Sequence, residues 1–284
     1  PAASSPQKKK YDVFEVEDVI KKGANIIAVQ VIHFGYFLSH RPENKGNFWC
    51  QLDGSDFTVV SDQSWKFSHD PCYATDTARR NIMYGIIEKY DARQQEDWLK
   101  LNYDDTRWQN AFCREDRENN DLLWKKLVKR PIPQRQEENK LPKNIIKSGE
   151  VLNREYNPNM HGGLIDNLAT YLSLDVPEKP QYTSIINQEN ILKDNGKSAI
   201  VKQPSPREHS SPEQYCATII LDFGHEVTGY GWIDIEGNEG AIVDIVYSER
   251  LTAGRVPPSV QNCGYVDRYI LKEGRQRHEV YDWK

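Results

Sequence analysis

Along the first third of the chain, apolar residues come in short runs rich in Val, Ile, Phe and Tyr, at 11–16, 25–34, 47–52, 57–60 and 82–90. Turn formers separate them, as in Lys22-Gly23-Ala24-Asn25 and Leu52-Asp53-Gly54-Ser55, and that combination predicts strands. Asp53-Gly54 is the best hairpin signal, because both residues tolerate the positive φ of a tight primed turn. In Tyr103-Asp104-Asp105-Thr106-Arg107-Trp108 the spacing makes Asp105 or Thr106 the cap of a short amphipathic turn, with Trp108 packed inward. Trp49, Trp65, Trp124 and Trp232 sit in or beside apolar runs and are expected in the core. The prolines of Arg130-Pro131-Ile132-Pro133 end this first unit.

From 134 to 215 the composition shifts to Asn, Glu, Lys, Ser and Pro, with short apolar patches at 168–174 and 182–186. This stretch is expected to be linker and long loops. Strand-like runs return at 216–223, 230–235, 241–247 and 265–271, punctuated by Gly224, Gly237-Asn238-Glu239-Gly240 and Lys272-Glu273-Gly274. That spacing is typical of a sandwich. Alternation puts Ile219, Leu221 and Phe223, and likewise Val243, Ile245 and Tyr247, toward a core, with Asp222 and Asp244 on the other face. The predicted fold is all-β: two β-sandwich, jelly-roll-like domains, residues 1–133 and 134–284, joined by a loop-rich connection. The second is expected to be truncated at its C-terminal end.

Composition narrows function by exclusion. With 284 residues, 38% hydrophobic and 28% charged, the chain is a globular composition of one large or two ordinary domains. The longest apolar stretch is interrupted by Gln30 and His33, so no membrane span is predicted. A net charge of −5 and no basic stripe beyond Lys8-Lys9-Lys10 leave little to neutralise phosphates, which excludes nucleic acid as a partner. The cysteines, Cys50, Cys72, Cys113, Cys216 and Cys263, fit neither a disulfide framework nor a metal clip. The chain begins at Pro1 without an export signal. Localisation therefore stays open: periplasmic or extracellular if a preceding segment carries a signal, cytoplasmic otherwise.

Catalytic templates mostly fail. His225-Glu226 has no second histidine at zinc-protease spacing, Gly229-Tyr230-Gly231-Trp232 lacks the third glycine of a dinucleotide loop, and no nucleophile elbow occurs. Asp222, Glu226 and Glu249 lie near predicted strand ends, where a glycosidase could place an acid and a base. Their expected role, however, is that of exposed charges on sandwich strands.

Three late segments carry a family resemblance: Leu221-Asp222-Phe223-Gly224-His225-Glu226-Val227-Thr228-Gly229-Tyr230, then Val246-Tyr247-Ser248-Glu249-Arg250-Leu251, then Asp267-Arg268-Tyr269-Ile270-Leu271. In order and spacing they resemble the β-sandwich module preceding the catalytic barrel of bacterial α-L-rhamnosidases. The first domain resembles the same family's N-terminal carbohydrate-binding-like module. The residues concerned are Lys10-Tyr11-Asp12-Val13, Gly23-Ala24-Asn25, Asp62-Gln63-Ser64-Trp65-Lys66, Glu88-Lys89-Tyr90-Asp91-Ala92-Arg93 and Tyr103 to Trp108.

The resemblance implies a parent enzyme that removes terminal α-linked L-rhamnose with inversion, using two carboxylates of an (α/α)6 barrel supplied by polypeptide beyond this chain. This chain alone is then expected to be inactive, its partners being that barrel and a rhamnose-containing glycan. Some relatives hold rhamnose through calcium; the resemblance maps no calcium ligand onto this sequence, and no other cofactor is implied. Sugar binding requires an aromatic plate and bidentate polar groups, which concentrate at Glu88, Tyr90, Asp91, Arg93 and Trp98. Strand alternation sends Glu88, Tyr90 and Ala92 to one face and Asp91 and Arg93 to the other, so the five converge only through a bulge. Otherwise Asp91 pairs with Arg93 and Tyr90 fills the core. The competing function is a stand-alone carbohydrate-binding or adhesion protein.

Overall fold

Short runs of β-branched and aromatic residues must pair with distant runs to be stable, and the computed structural model is built of such pairings. It describes residues 8–35, 46, 48–77, 85–113, 126–153, 180–202, 214–254, 256–257, 259–260 and 263–282. The strands begin with β1 (Lys8–Tyr11), β2 (Gln51–Asp53), β3 (Thr58–Val60), β4 (Lys66–Phe67), β5 (Lys89–Asp91), β6 (Gln109–Asn110) and β7 (Lys126–Lys129). The longest, β8 (Asn144–Asn153), precedes β9 (Ser184–Ile186), β10 (Ile200–Lys202), β11 (Gln214–Asp222), β12 (Trp232–Gly237) and β13 (Ile242–Val246). The last are β14 (Ser259–Val260), β15 (Cys263–Gly264), β16 (Val266–Ile270) and β17 (Gly274–Glu279). Helix among the described residues is confined to two 3-10 turns, Ala92–Gln94 and Gln188–Leu192, and no helix is long and apolar enough to cross a membrane. The all-β class expected from the sequence is the class observed.

The chain divides into two compact units, one of Pro1–His33, Lys45–His69 and Glu96–Glu138, the other of Phe34–Asn44, Asp70–Gln95 and Asn139–Lys284. Residues 70–95 count with the second because β5 pairs in parallel with β16.

In the first unit β1 runs parallel to β7, and the residues just beyond the two strands, Asp12 and Arg130, form an ion pair. β2 and β3 form the expected hairpin, but not the expected turn. Asp53 pairs with Thr58, leaving a four-residue loop in which Gly54 N donates to Phe57 O at 2.8 Å. Gly54 is absent from the positive-φ residues; it serves close approach instead, since a Cβ there would strike the Phe57 ring. The 106–108 turn is capped from Asp104, whose Oδ1 accepts from Thr106 N at 3.1 Å, while Asp105 is held by Lys66 at 2.7 Å. The runs 12–16 and 25–34 belong to no strand. β-propensity without a paired neighbour does not make a ladder, and Ile26, Ile27, Val29, Val31 and Ile32 stand exposed. Trp49, expected in the core, is 42% exposed; Trp65 and Trp232 are half-buried. Trp124, the patch 168–174 and residues 82–84 of the predicted 82–90 strand lie outside the described residues.

In the second unit β13, β16 and β5 form a three-stranded sheet, β12 pairs with β17, and β8 pairs with β11. The loop expected through 134–215 is thus interrupted by the ten-residue β8. A bulge between Ile220 and Leu221 shifts the β8–β11 register and re-aims the side chains, so the buried residue is Ile220, not its expected neighbours Ile219 and Leu221. The core gathers Cys72, Tyr90, Ala92, Tyr269 and Leu271, with Ile233, Ile235 and Val243 packed against it. Among the described residues, all the buried hydrophobic side chains belong to this unit.

Candidate functional site

β5 and the 3-10 turn after it carry three of the five residues nominated from sequence, and a fourth, Glu88, immediately precedes β5. The pairing of Lys89, Tyr90 and Asp91 with Arg268, Tyr269 and Ile270 is regular, so alternation holds and no bulge brings both faces together. Glu88, Tyr90 and Ala92 point inward, at 1%, 8% and 1% exposure. Glu88 Oε1 lies 2.7 Å from His278 Nε2, its Oε2 accepts from Tyr281 N at 2.8 Å, and its own N–H donates to Asp267 Oδ1 at 3.0 Å. The His278 ring sits against Tyr90 and Tyr269, at 4.4 and 4.5 Å between centroids.

Burial pushes the Cys72 thiol up to about 11 and the Tyr269 phenol up to about 12. Tyr90 is raised as well, first by burial and then by its hydrogen bond with Cys72. Thiol and phenols therefore stay neutral near pH 7, as suits a hydrophobic core. This cluster is a buried framework in which Glu88 ties together His278, the Tyr281 backbone and Asp267.

On the opposite side, Arg93 Nε and Nη2 donate to Asp91 Oδ1 and Oδ2 at 2.8 and 2.7 Å, and Asp91 Oδ1 also accepts from Arg93 N. The Arg93 side-chain hydrogen bond holds the Asp91 carboxyl below its ordinary value. Both bidentate groups are engaged with each other across a local cap.

Trp98 falls in the first unit, in a loop stitched by backbone hydrogen bonds from Lys100 N to Asp97 O and from Tyr103 N to Lys100 O. Its ring is tilted against Trp108 at 6.3 Å, and Tyr103 meets Trp108 edge-on at 5.8 Å. The Tyr103 hydroxyl donates to Glu96, and Arg107 Nη2 stands 3.9 Å from Glu96 Oε1.

The three carboxylates weighed as a catalytic set do not share a common structure. Asp222 Oδ1 accepts from Gly224 N at 2.7 Å, turning the chain out of β11, whereas Glu226 and Glu249 are exposed. Among the described residues, no group of three or more His, Cys, Asp or Glu is placed to hold a metal ion.

Two engaged side chains escaped sequence reasoning. Glu150, on β8, is 2% exposed and accepts from three successive backbone N–H groups, Gln181, Tyr182 and Thr183, at 2.8, 3.0 and 2.8 Å. Gln276, on β17, accepts from Tyr269 Oη and Lys272 N and donates to Lys272 O and Gly274 O, all within 3.0 Å. Neither belongs to a recognisable motif, and their partners are set only by the fold.

Comparison with known proteins places this geometry. Residues 3–129 match the family model of the alpha-L-rhamnosidase N-terminal domain, and residues 213–283 that of the bacterial alpha-L-rhamnosidase concanavalin-like domain. The crystal structure of a GH78 family rhamnosidase of Bacillus sp. GL1 superposes with a TM-score of 0.62 at 15% identity, which is a likeness of fold. The match covers 100% of this chain and 46% of that one, so the chain spans less than half of the enzyme's length. No curated protein matches the chain. The chain belongs to the bacterial α-L-rhamnosidase family, of which it carries the N-terminal and concanavalin-like domains.

Proposed function

We propose that this chain is the non-catalytic accessory region of a rhamnosidase-like glycoside hydrolase acting on terminal α-linked L-rhamnose. Its β modules brace a catalytic (α/α)6 barrel formed by other polypeptide and help to shape the approach of the glycan. The observation that carries this reading is the pair of domain matches, at 3–129 and 213–283, on a chain spanning less than half of a rhamnosidase. The fate of the carboxylates supports it. Inverting hydrolysis needs an acid and a base facing each other across a space wide enough for sugar and water. Here Glu88 and Glu150 are buried in hydrogen bonds to their own framework, and Asp91, Asp234 and Asp244 are tied to Arg93, Arg275 and Arg268.

The test is hydrolysis of an aryl α-L-rhamnoside by this chain and by a longer polypeptide that includes the downstream region. Turnover is expected from the longer protein alone. Equal turnover by both would place the acid and base within these 284 residues and overturn the reading.

A further inference from the structure

Trp98 parts company with the other nominated residues, and what surrounds it in the first unit is a different assembly. Within residues 96–108, Trp98, Tyr103 and Trp108 lie ring against ring, each half-buried, so that part of the aromatic surface faces solvent. Two polar groups flank the rings. Glu96 is 47% exposed at its side chain and accepts from the Tyr103 hydroxyl; Arg107 is 84% exposed. The Arg107–Glu96 separation of 3.9 Å is too long for a hydrogen bond, so guanidinium donors and a carboxylate lone pair stand ready side by side.

We propose that Glu96, Trp98, Tyr103, Arg107 and Trp108 form a binding patch for a neutral pyranose of the glycan. A pyranose has an apolar C–H face and a rim of vicinal hydroxyls. The exposed ring surface suits the first, and a paired acceptor and planar donor fork suit the second. The chemistry disfavours other ligands. An anionic sugar or a nucleic-acid phosphate would meet Glu96, Asp97 and Asp104 on the same loop, in a chain of net charge −5. A patch this small and open gives weak binding, with Kd on the order of millimolar. Such affinity suffices for a module that holds a glycan near an active site, where the effective concentration is set by tethering. The proposal rests on reading the chain as a rhamnosidase accessory region.

The probes are L-rhamnose and methyl α-L-rhamnoside, titrated against the full 284-residue chain by intrinsic tryptophan fluorescence and ligand-observed NMR. Saturable binding is expected, weakened about tenfold or more in Arg107→Met and in Trp98→Leu. Arg107→Met touches an exposed side chain and leaves the fold intact. If Trp98→Leu fails to fold by circular dichroism, Glu96→Gln takes its place, with the same loss expected. No saturable signal from the parent chain up to about 100 mM, or undiminished binding in the folded variants, would overturn this patch. Neither result alters the hydrolysis comparison, so loss of the patch and loss of the accessory reading are distinguishable.

Discussion

Glu150 shows how one side chain can hold a loop that no local signal would order. Burial alone would raise its carboxyl, but the backbone N–H bonds from Gln181, Tyr182 and Thr183 outweigh burial and hold it below the ordinary value of 4.5. A carboxyl depressed in the folded state adds stability that is fully present above about pH 4.5 and is lost as the pH falls through the folded pKa. Replacing it with Gln keeps the shape, leaves one oxygen to accept, and sets an amide donor against backbone donors. Glu150→Gln should therefore cost about 1–3 kcal/mol in urea unfolding at pH 7. The gap should narrow in the same titration near pH 3; a gap constant across that range would mean the carboxylate is not the ionised acceptor described. The nominated site was legible only in part at this scale. Alternation along β5 separates Tyr90 from Asp91 and Arg93 correctly, but the Glu88 partners lie 190 and 193 residues away. Only closure of the fold brings them together.

Among the elements, the corner between β16 and β17 bears the most structural responsibility per residue. β16 ends in one sheet and β17 begins in another, and Gln276 binds both sides of the crossing. An apolar isostere would leave the Tyr269 hydroxyl, the Lys272 N–H and two carbonyls without it. Gln276→Leu should accordingly lower stability by about 2–3 kcal/mol by thermal or urea melt; a variant as stable as the parent would show that water replaces these bonds at no cost. The same corner explains what pattern reading found and missed. β11, β12, β13 and β16 announce themselves through apolar residues, even though β16 also buries Asp267. β17 reads as Gly-Arg-Gln-Arg-His-Glu, since its inward positions, Gln276 and His278, are polar groups satisfied in the core. β8 is hidden likewise, with Glu150 as its buried residue. The opposite error falls at 25–34, where strong strand propensity meets no partner strand.

At the scale of the whole molecule, the two units differ in kind. The described buried hydrophobic side chains all lie in the second, whereas Phe14, Phe57, Phe67 and Phe112 of the first are 67%, 48%, 45% and 82% exposed. Since area removed from water is the main favourable term in folding, the first unit should open at lower free energy. In native-state hydrogen exchange, amides of β16 should outlast those of β2 and β3 by orders of magnitude; equal protection would mean that the units unfold as one. The fold class was legible because period-two patterning survives in most strands, while the division into units was not, because it depends on a parallel pairing between β5 and β16 that nothing local encodes. One further property follows from Ile26 to Ile32. From Gly23 to Ile32 the chain carries no charge and no proline, its β-branched side chains face water on both sides, and no ladder occupies its edges. Such a ribbon is its own best template: a second copy satisfies it with perfect register and without repulsion. Crowding the protein thus favours stacking, and a single lysine placed at Val29 would act as a gatekeeper against it.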